Sequence, residues 1–279
     1  MTLTKLKISY RLKLLIRDLI TYLLLPISSL KIENSIPILV YHSVDDIPPH
    51  EDLQRLNTPP SLFEQHIKYL VNAGYRVISL NNLGDYLKKD KQNCSKMVVL
   101  TFDDGYKNWH HNAYPILQKY GYPATIFIIC ECLDSNEPFG WIKNGTQYGS
   151  PLSIPEIKEI LKDNFTVGSH SLSHPDLTKL AYDDCIREIG ESKKRLEEQF
   201  GKSVDYFAYP FGARVHITED IKKHVRNAGY KGAVSNIMGI NKNDADFYSL
   251  KRIRIDWHDN ISRFRLKLIG AYNWLDRFR

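Results

Sequence analysis

The sequence is poor in cysteine and contains no long apolar run. Its 279 residues include four cysteines and no Cys-x-x-Cys pair, which excludes a disulfide scaffold and a zinc ribbon. A mean hydropathy of −0.36 excludes a protein with many membrane spans. The chain also has no internal repeat and no low-complexity linker, and aromatic residues make up 11% of it, so disorder or a fibrous structure throughout is excluded. What remains is a globular chain with enough apolar material for a sizeable core.

Charge is concentrated at the two ends of the sequence. The net charge is +6, and residues 1–31 and 251–279 each carry +5, so residues 32–250 carry −4. A protein that binds nucleic acid needs a basic patch on its folded body, so this distribution disfavours that class. An acidic body is instead compatible with a neutral glycan as substrate or with a cationic product.

The first 34 residues form a basic, amphipathic segment that we separate from a domain over residues 35–279. The apolar run Leu19–Ile27 is too short to span a bilayer, which takes about 20 residues. We expect a helix in a membrane interface, with a helix packed on the domain or a signal or anchor segment as alternatives. We therefore predict that the protein is cytoplasmic and lies at the inner face of a membrane, with an envelope or secreted location left open. Apolar residues recur at helical spacing at Leu12, Leu15, Ile16, Leu19, Ile20 and Leu23.

From residue 35 onward, short apolar runs alternate with longer amphipathic stretches. This alternation predicts βαβ units and a parallel sheet, and seven or eight such units predict an α/β barrel. The long stretch Cys130–Pro151 breaks the alternation and is a candidate functional loop. The predicted strands are Pro37–Tyr41, Tyr75–Ser79, Met97–Phe102, Ala124–Ile129, Phe165–Val167, Tyr206–Tyr209, Gly232–Val234 and Arg252–Ile255. The predicted helices are Ser61–Ala73, Trp109–Tyr120, Ile154–Asp163, Asp183–Phe200 and Thr218–Ala228, with a capping box at Ser153 and Glu156 and a basic helix near the C-terminus.

Polar residues follow several of these strands, at the end where α/β proteins carry their sites. Asp103 and Asp104 follow one strand, His170 and His174 follow another, and His42 follows the first. Two imidazoles and one carboxylate form an open site for zinc, iron, cobalt or nickel. A second carboxylate beside such a site is free to act as general base. A plain turn for the acidic pair and surface positions for the histidines are the alternative interpretations.

Four motifs occur in order along the domain. They are Ile38-Leu39-Val40-Tyr41-His42-Ser43, Leu100-Thr101-Phe102-Asp103-Asp104-Gly105-Tyr106, the run Val167–Leu177 with His170 and His174, and Phe207-Ala208-Tyr209-Pro210-Phe211-Gly212. Together they resemble the motifs of the polysaccharide deacetylase family, also known as carbohydrate esterase family four or the NodB homology domain. The resemblance spans roughly residues 36–256 and implies a distorted (β/α) barrel of seven or eight units.

The resemblance also implies a reaction and a set of site residues. The reaction is removal of N-acetyl groups from an amino-sugar polysaccharide or oligosaccharide, and the basic ends leave a lipid-linked form of this glycan open. One divalent metal ion, zinc foremost, is expected on Asp104, His170 and His174, with Asp103 as general base. The backbone N–H of Phe211 is expected to stabilise the oxyanion. The residues expected at the substrate are Tyr209, Pro210, Phe211, Gly212 and Arg252.

Two positions depart from the family pattern. The third motif has Ala208 where the family often has an arginine that pairs with the base, and we predict that Arg252 or Arg254 replaces it. No clean Leu-x-x-His motif supplies a general acid, so we favour His42 for that role, with His258 as the alternative. An O-acetyl esterase, a deformylase and a non-catalytic glycan-binding barrel are the alternative functions.

Overall fold

The computed structural model describes residues 12, 14–23, 35–48, 51–52, 55–89, 94, 96–135, 137–142 and 149–278. Because the predicted boundary at residue 34 adjoins residues outside these ranges, the division into two segments stays a prediction. The strands of the described residues are β1 (Ile38–Tyr41), β2 (Ser43–Val44), β3 (Asn57–Thr58), β4 (Arg76–Val77), β5 (Met97–Phe102), β6 (Ala124–Ile128), β7 (Phe165–Ser169), β8 (Tyr206–Ala208), β9 (Gly232–Met238) and β10 (Leu250–Arg254).

Seven of these strands close a parallel barrel. Their order around the ring is β1-β5-β6-β7-β8-β9-β10, and β1 pairs with both β5 and β10, so the ring has no open edge. The predicted strand at Tyr75–Ser79 is the two-residue β4, which pairs with β5 alone. The expected (β/α) barrel is therefore confirmed, with seven strands in the ring and one strand beside it.

Helices cover the outside of the barrel. They are α1 (14–23), α2 (Pro60–Asn72), α3 (Leu83–Lys89), α4 (Tyr114–Lys119), α5 (Ile154–Ile160), α6 (Tyr182–Phe200), α7 (Glu219–Asn227) and α8 (Ile261–Leu268). The predicted capping box at Ser153 and Glu156 is confirmed at the start of α5. The predicted helix Trp109–Tyr120 is instead a wide π-helical turn over Trp109–Ala113 followed by α4. Pro115 accounts for the change, because it has no N–H to donate to the preceding turn.

Side-chain alternation along the strands decides which residues reach the barrel interior. In β5, Val98 and Leu100 pack in the large outer core, whereas Val99 packs in the smaller inner core. The inward face of this strand therefore continues through Thr101 to Asp103. In β10 the inward face likewise continues from Leu250, in the inner core, to Arg252, whose guanidinium lies 3.3 Å from Thr101 Oγ1. Asp103 and Arg252 thus lie together at the C-terminal end of the barrel interior.

The N-terminal helix α1 contacts the C-terminal part of the chain through polar side chains. Asp18 accepts hydrogen bonds from Arg263 Nε and from Tyr272 Oη, both at 2.7 Å. Thr21 Oγ1 accepts a hydrogen bond from Trp274 Nε1 at 3.0 Å. Within the described ranges, every helix is too short or too polar to cross a membrane.

Candidate active site

Asp103 and Asp104 lie in the turn that follows β5. Both residues are buried, with 1% and 4% of their surfaces exposed. Asp104 has a φ of +71° and Gly105 a φ of +79°, so the chain turns through left-handed conformations here. The positive φ of residue 105 favours glycine, and a Cβ there would also lie 2.8 Å from Ile128 Cδ1, so that this side chain would have to shift. This turn directs the two neighbouring carboxylates to different partners.

His170 and His174 lie in the loop that follows β7. His170 Nδ1 is 2.8 Å from the carbonyl oxygen of Ala208, which orients the ring and leaves Nε2 toward Asp104. His174 has a φ of +64°, and its N–H donates a hydrogen bond to Ser171 Oγ at 3.0 Å. A backbone carbonyl on the far nitrogen is the usual means by which proteins orient a histidine that binds metal.

A buried carboxylate on α6 supports the same loop. Glu188 is 6% exposed, and one of its oxygens accepts the N–H groups of Leu172 and Ser173 at 2.9 and 3.0 Å. Its other oxygen accepts the hydroxyl of Ser173 at 2.7 Å. The sequence interpretation missed Glu188 because no motif marks it. Its only signal is an acidic residue at the helical spacing of the buried residues Cys185 and Ile189.

Asp104, His170 and His174 meet at one point. Asp104 Oδ1 lies 3.4 Å from His170 Nε2 and 3.9 Å from His174 Nε2, and one ligand atom from each residue lies within 4.8 Å of the others. Ligands bonded to zinc at about 2 Å are separated from one another by similar distances. The three residues therefore fit a divalent cation in number, type and spacing.

The electrostatics of the cluster also suit a cation. Burial lowers the pKa of His174 to about 4, so its imidazole is neutral and able to bind a metal. Burial disfavours the charged form of Asp104, but the hydrogen bond with His170 and the nearby histidine charges outweigh it and lower the pKa. For His170, burial opposes the charged form, yet the hydrogen bond with Asp104 and the two carboxylate charges raise its pKa. Positive charge is thus favoured at this point.

A second group of metal-binding residue types lies nearer the surface and fits a cation less well. It consists of His110, His111 and Glu156. Glu156 Oε2 already accepts the N–H and the hydroxyl of Ser153 at 2.8 and 2.7 Å in the capping box of α5. His110 contacts Glu159 instead, at 3.2 Å. These contacts satisfy the carboxylates without a cation.

Asp103 is held by Arg252. The two carboxylate oxygens accept hydrogen bonds from the two terminal guanidinium nitrogens at 2.7 and 2.6 Å, and both side chains are fully buried. Burial disfavours the charged form of Asp103, but the Arg252 charge outweighs it and lowers the pKa to about 2. Arg254, the other predicted partner, contacts the Arg55 carbonyl instead, at 3.2 Å. Arg252 also lines the cavity, so its expected contact with the substrate stays a prediction.

His42 lies beside Asp103, whereas His258 lies elsewhere. His42 Nε2 is 4.0 Å from Asp103 Oδ2, and its Nδ1 is buried with no hydrogen-bond partner among the described residues. Burial lowers the pKa of His42 in spite of the two carboxylates. His258 Nδ1 pairs with Asp256 at 3.0 Å, and His258 does not line the cavity that the other site residues share.

Of the substrate residues expected in the third motif, one lines the cavity and the other three are buried. Phe211 lines the cavity, is 52% exposed, and has its ring centroid 5.1 Å from that of His174. Tyr209 is fully buried, and its hydroxyl donates to the Tyr248 carbonyl at 2.8 Å, so a substrate contact by Tyr209 was wrongly expected. Pro210 and Gly212 are buried and shape the turn, in which the Gly212 N–H donates to the Pro210 carbonyl at 2.7 Å.

The site residues open into a cavity of about 710 Å³. Part of its wall comes from the candidate functional loop Cys130–Pro151, in which Trp141 stacks on Phe139 at a centroid distance of 4.9 Å. The Trp141 ring also lies 5.0 Å from that of His174, and its Nε1 donates to Tyr106 Oη at 2.9 Å. Trp141 and Phe211 thus give the cavity an aromatic wall beside the histidines, which suits a sugar ring.

The strand β9 contributes a site residue that the sequence interpretation missed. Asn236 lines the cavity, its Oδ1 accepts from Arg252 at 3.0 Å, and its Nδ2 donates to the Phe211 carbonyl at 3.1 Å. It thereby ties the third motif to the arginine that holds Asp103. The predicted strand ended at Val234, whereas β9 runs to Met238. A predicted strand that continued through the polar residues after Val234 would have placed Asn236 at the edge of the site.

Comparisons of sequence place the chain among polysaccharide deacetylases. The family model described as Polysaccharide deacetylase matches residues 90–233. YxkH of Bacillus subtilis is 30% identical over 220 residues, which cover 79% of this chain and 71% of YxkH. A poly-beta-1,6-N-acetyl-D-glucosamine N-deacetylase of Staphylococcus aureus is 29% identical over 208 residues, which cover 71% of this chain and 68% of that protein.

Comparisons of structure agree. The deacetylase PplD of Streptococcus pyogenes, solved in complex with acetate, superposes with a TM-score of 0.73 at 27% identity, covering 84% of this chain and 98% of PplD. BC0361, a polysaccharide deacetylase from Bacillus cereus, gives a TM-score of 0.70 at 30% identity over 84% of this chain and 69% of that one. The chain therefore belongs to the polysaccharide deacetylase family, whose members are hydrolases that act on N-acetyl amide bonds.

Proposed function

We propose that this protein is a metal-dependent hydrolase that removes acetyl groups from the nitrogen of amino sugars in a glycan. The observation that carries the proposal is the meeting of Asp104, His170 and His174 within 4.8 Å of one another, beside an ionised Asp103. Three ligands and a separate carboxylate supply the metal site and the general base that metal-assisted hydrolysis of an amide uses. The glycan that we propose is an oligosaccharide or polysaccharide, either free or attached to a lipid.

Asp104, His170 and His174 are the residues that would hold the metal ion. Two imidazoles and one carboxylate suit zinc best, with iron, cobalt or nickel as alternatives. Such an ion polarises the acetyl carbonyl and makes water more acidic. The Ala208 carbonyl keeps His170 in the tautomer that offers Nε2, and Glu188 keeps the His174 loop in place.

Asp103 takes the proton of the attacking water, and His42 delivers a proton to the leaving nitrogen. Water oxygen bonds to the acetyl carbon while Asp103 accepts its proton, and the C–N bond then breaks. Arg252 favours the carboxylate form of Asp103, so protonated Asp103 readily gives up its proton. The proton can pass to His42 once His42 Nε2 and Asp103 Oδ2, which lie 4.0 Å apart, move to within hydrogen-bond distance. His42 starts neutral because of its burial and, once protonated, serves as the general acid for the amine.

The rest of the cavity binds and orients the glycan. The backbone N–H of Phe211, in a left-handed residue on the cavity wall, is the donor that we assign to the oxyanion. The rings of Phe211 and Trp141 present apolar faces to the sugar. The expected contacts from Tyr209 are not part of the proposal, because that side chain is buried.

Acetate release from an oligosaccharide of N-acetylglucosamine, together with metal content after dialysis, tests the proposal on the full chain. We expect zinc-dependent acetate release, with Asp103→Asn keeping the metal and losing the release. We expect His170→Ala to lose the metal, whereas the matched variant His111→Ala, in the second histidine group, keeps both metal and activity. Metal content equal to that of the unaltered protein in His170→Ala would overturn the assignment of the ligands.

Other substrates separate this proposal from its alternatives. Release of acetate from O-acetylated sugars alone, or of formate from N-formyl sugars alone, would replace the N-acetyl assignment with an esterase or a deformylase. Retention on a glycan column without metal and without release of any acyl group would indicate a binding protein.

A further inference from the structure

The N-terminal helix α1 turns its polar face toward the domain and its apolar face toward solvent, the reverse of an ordinary surface helix. Leu14, Arg17, Asp18 and Thr21 face the domain, and the hydrogen bonds of Asp18 and Thr21 hold them there. Arg17 also lies over the ring of Tyr272, with its guanidinium carbon 4.9 Å from the ring centroid. A helix that packs on a globular domain normally buries its apolar stripe instead.

The apolar stripe of α1 is left in solvent. At about 100° per residue, its members cover about 160° of the helix surface, opposite the polar contacts. A continuous exposed stripe of this kind marks an interaction surface, whereas single exposed apolar residues do not. The exposed fractions in this stripe are 62% for Leu15, 47% for Ile16, 61% for Leu19, 36% for Ile20, 52% for Tyr22 and 71% for Leu23.

We propose that α1 lies in the interface of an anionic lipid bilayer, with this stripe among the acyl chains and Asp18 fastening the helix to the domain. Charge identifies the bilayer as anionic. Residues 1–13 contain Lys5, Lys7, Arg11 and Lys13 and no acidic residue, so the chain before α1 carries four positive charges. A basic segment beside an apolar helix face is the combination that binds anionic membranes. The described residues of the helix are too few to cross the bilayer, so we place this part of the helix along its surface.

The anchored helix is connected to the wall of the cavity. Tyr272, which binds Asp18, packs in one apolar cluster with Leu266, Ala271 and Met238. Met238 in turn lines the cavity that holds the carboxylates and histidines. One apolar cluster thus joins the helix that we place at the bilayer to a wall of the cavity, and, resting on the proposed function, we infer that a glycan carried by that bilayer is the substrate.

Vesicle flotation of the full chain tests the proposal. The probes are vesicles of phosphatidylcholine and of phosphatidylcholine mixed with phosphatidylglycerol. We expect the protein to float with the anionic vesicles, less so at high salt. The combined change Leu15→Ser, Leu19→Ser and Leu23→Ser should reduce binding by about tenfold or more, because three leucines leave the apolar face. Acetate release from a soluble oligosaccharide should be unchanged, so failure of binding and failure of catalysis are distinguishable.

A control variant replaces three exposed apolar residues elsewhere. Val71→Ser, Tyr182→Ser and Ile186→Ser together alter residues that are 39%, 68% and 40% exposed and lie outside α1. This variant should bind vesicles like the unaltered protein. Binding that is absent, equal on neutral and anionic vesicles, or equally reduced by the control would overturn the proposal. So would self-association that the α1 variant abolishes without any vesicle binding, because the stripe would then bind a second copy.

Discussion

Asp103 and Arg252, 149 residues apart in the sequence, form a buried pair in which each carboxylate oxygen accepts a hydrogen bond from a different guanidinium nitrogen. The pair lies at the top of the barrel interior, where the inward faces of β5 and β10 end. We predict from the sequence that Arg252 or Arg254 pairs with Asp103, and Arg252 is the one that does. The ionisation of the proposed base thus depends on the last barrel strand.

Removal of Arg252 should destabilise the fold as well as abolish catalysis. In Arg252→Met, the Asp103 carboxylate stays buried without a counter-charge, so we expect urea denaturation to show a loss of about 3–5 kcal/mol in unfolding free energy. Arg254→Met, on the same strand but at a partly exposed residue, should change this energy by less than about 1 kcal/mol. The double variant Asp103→Asn/Arg252→Met should recover part of the loss without activity, and a double variant no more stable than Arg252→Met would contradict the explanation.

Glu188 should control metal binding although it does not touch the metal ligands. Glu188→Gln has only one oxygen to accept the three hydrogen bonds of Leu172 and Ser173, so the loop that carries His174 should loosen. We expect zinc affinity, measured by competition with a chelating dye, to fall by about 10- to 100-fold. Glu191→Gln, on the exposed side of the same helix, is the control and should bind zinc normally. Unchanged affinity in Glu188→Gln would show that the loop is held by other contacts.

His66 should make the protein sensitive to acid. It stacks on Phe264 at a centroid distance of 4.2 Å and contacts Tyr41 Oη and the Asp259 carbonyl. Burial lowers the pKa of His66 from 6.5 to about 4, so the folded protein keeps it neutral while the unfolded chain takes up a proton. Stability is therefore lost as the pH falls below 6.5, by up to about 3 kcal/mol at pH 4.

The variant His66→Gln isolates this contribution. It should be less stable than the unaltered protein at neutral pH, because it loses the stacking on Phe264. Its denaturation midpoint should nevertheless fall less steeply between pH 6.5 and 4, because no imidazole at this position takes up a proton. Parallel pH profiles for the two proteins would show that other buried groups cause the acid sensitivity.

The sequence was most informative where a motif coincides with the end of a strand. Apolar runs separated by amphipathic stretches are enough to predict a parallel barrel, and parallel strands deliver their C-terminal residues to one face. Asp103, Asp104, His170 and His174 could therefore be expected on the same side of the molecule before any coordinates. Their distances could not, because these depend on left-handed conformations at Asp104, Ser171 and His174, residue types that rarely adopt them.

Contacts between residues far apart in the sequence explain why the other predictions were incomplete. Tyr209 looked like a substrate residue because it belongs to a motif, but its hydroxyl is taken up by Tyr248 in the core. Asn236 was missed because two polar residues appeared to end an apolar strand. The orientation of α1 depends on Asp18 binding Arg263, 245 residues away, so helical periodicity alone predicted the stripe but not the side on which it lies.

The positive φ values around the candidate site imply that the backbone there is strained, and that this strain lowers the stability of the folded protein. Of the seven non-glycine residues with positive φ in the described ranges, four are at the site: Asp104, Ser171, His174 and Phe211. Each holds a conformation that costs a side-chain-bearing residue roughly 1 kcal/mol or more. Glycine at Ser171 would relieve such a cost while removing the hydroxyl that holds the His174 backbone. Evolution toward greater heat resistance at this site would thus compete directly with the alignment of the histidines.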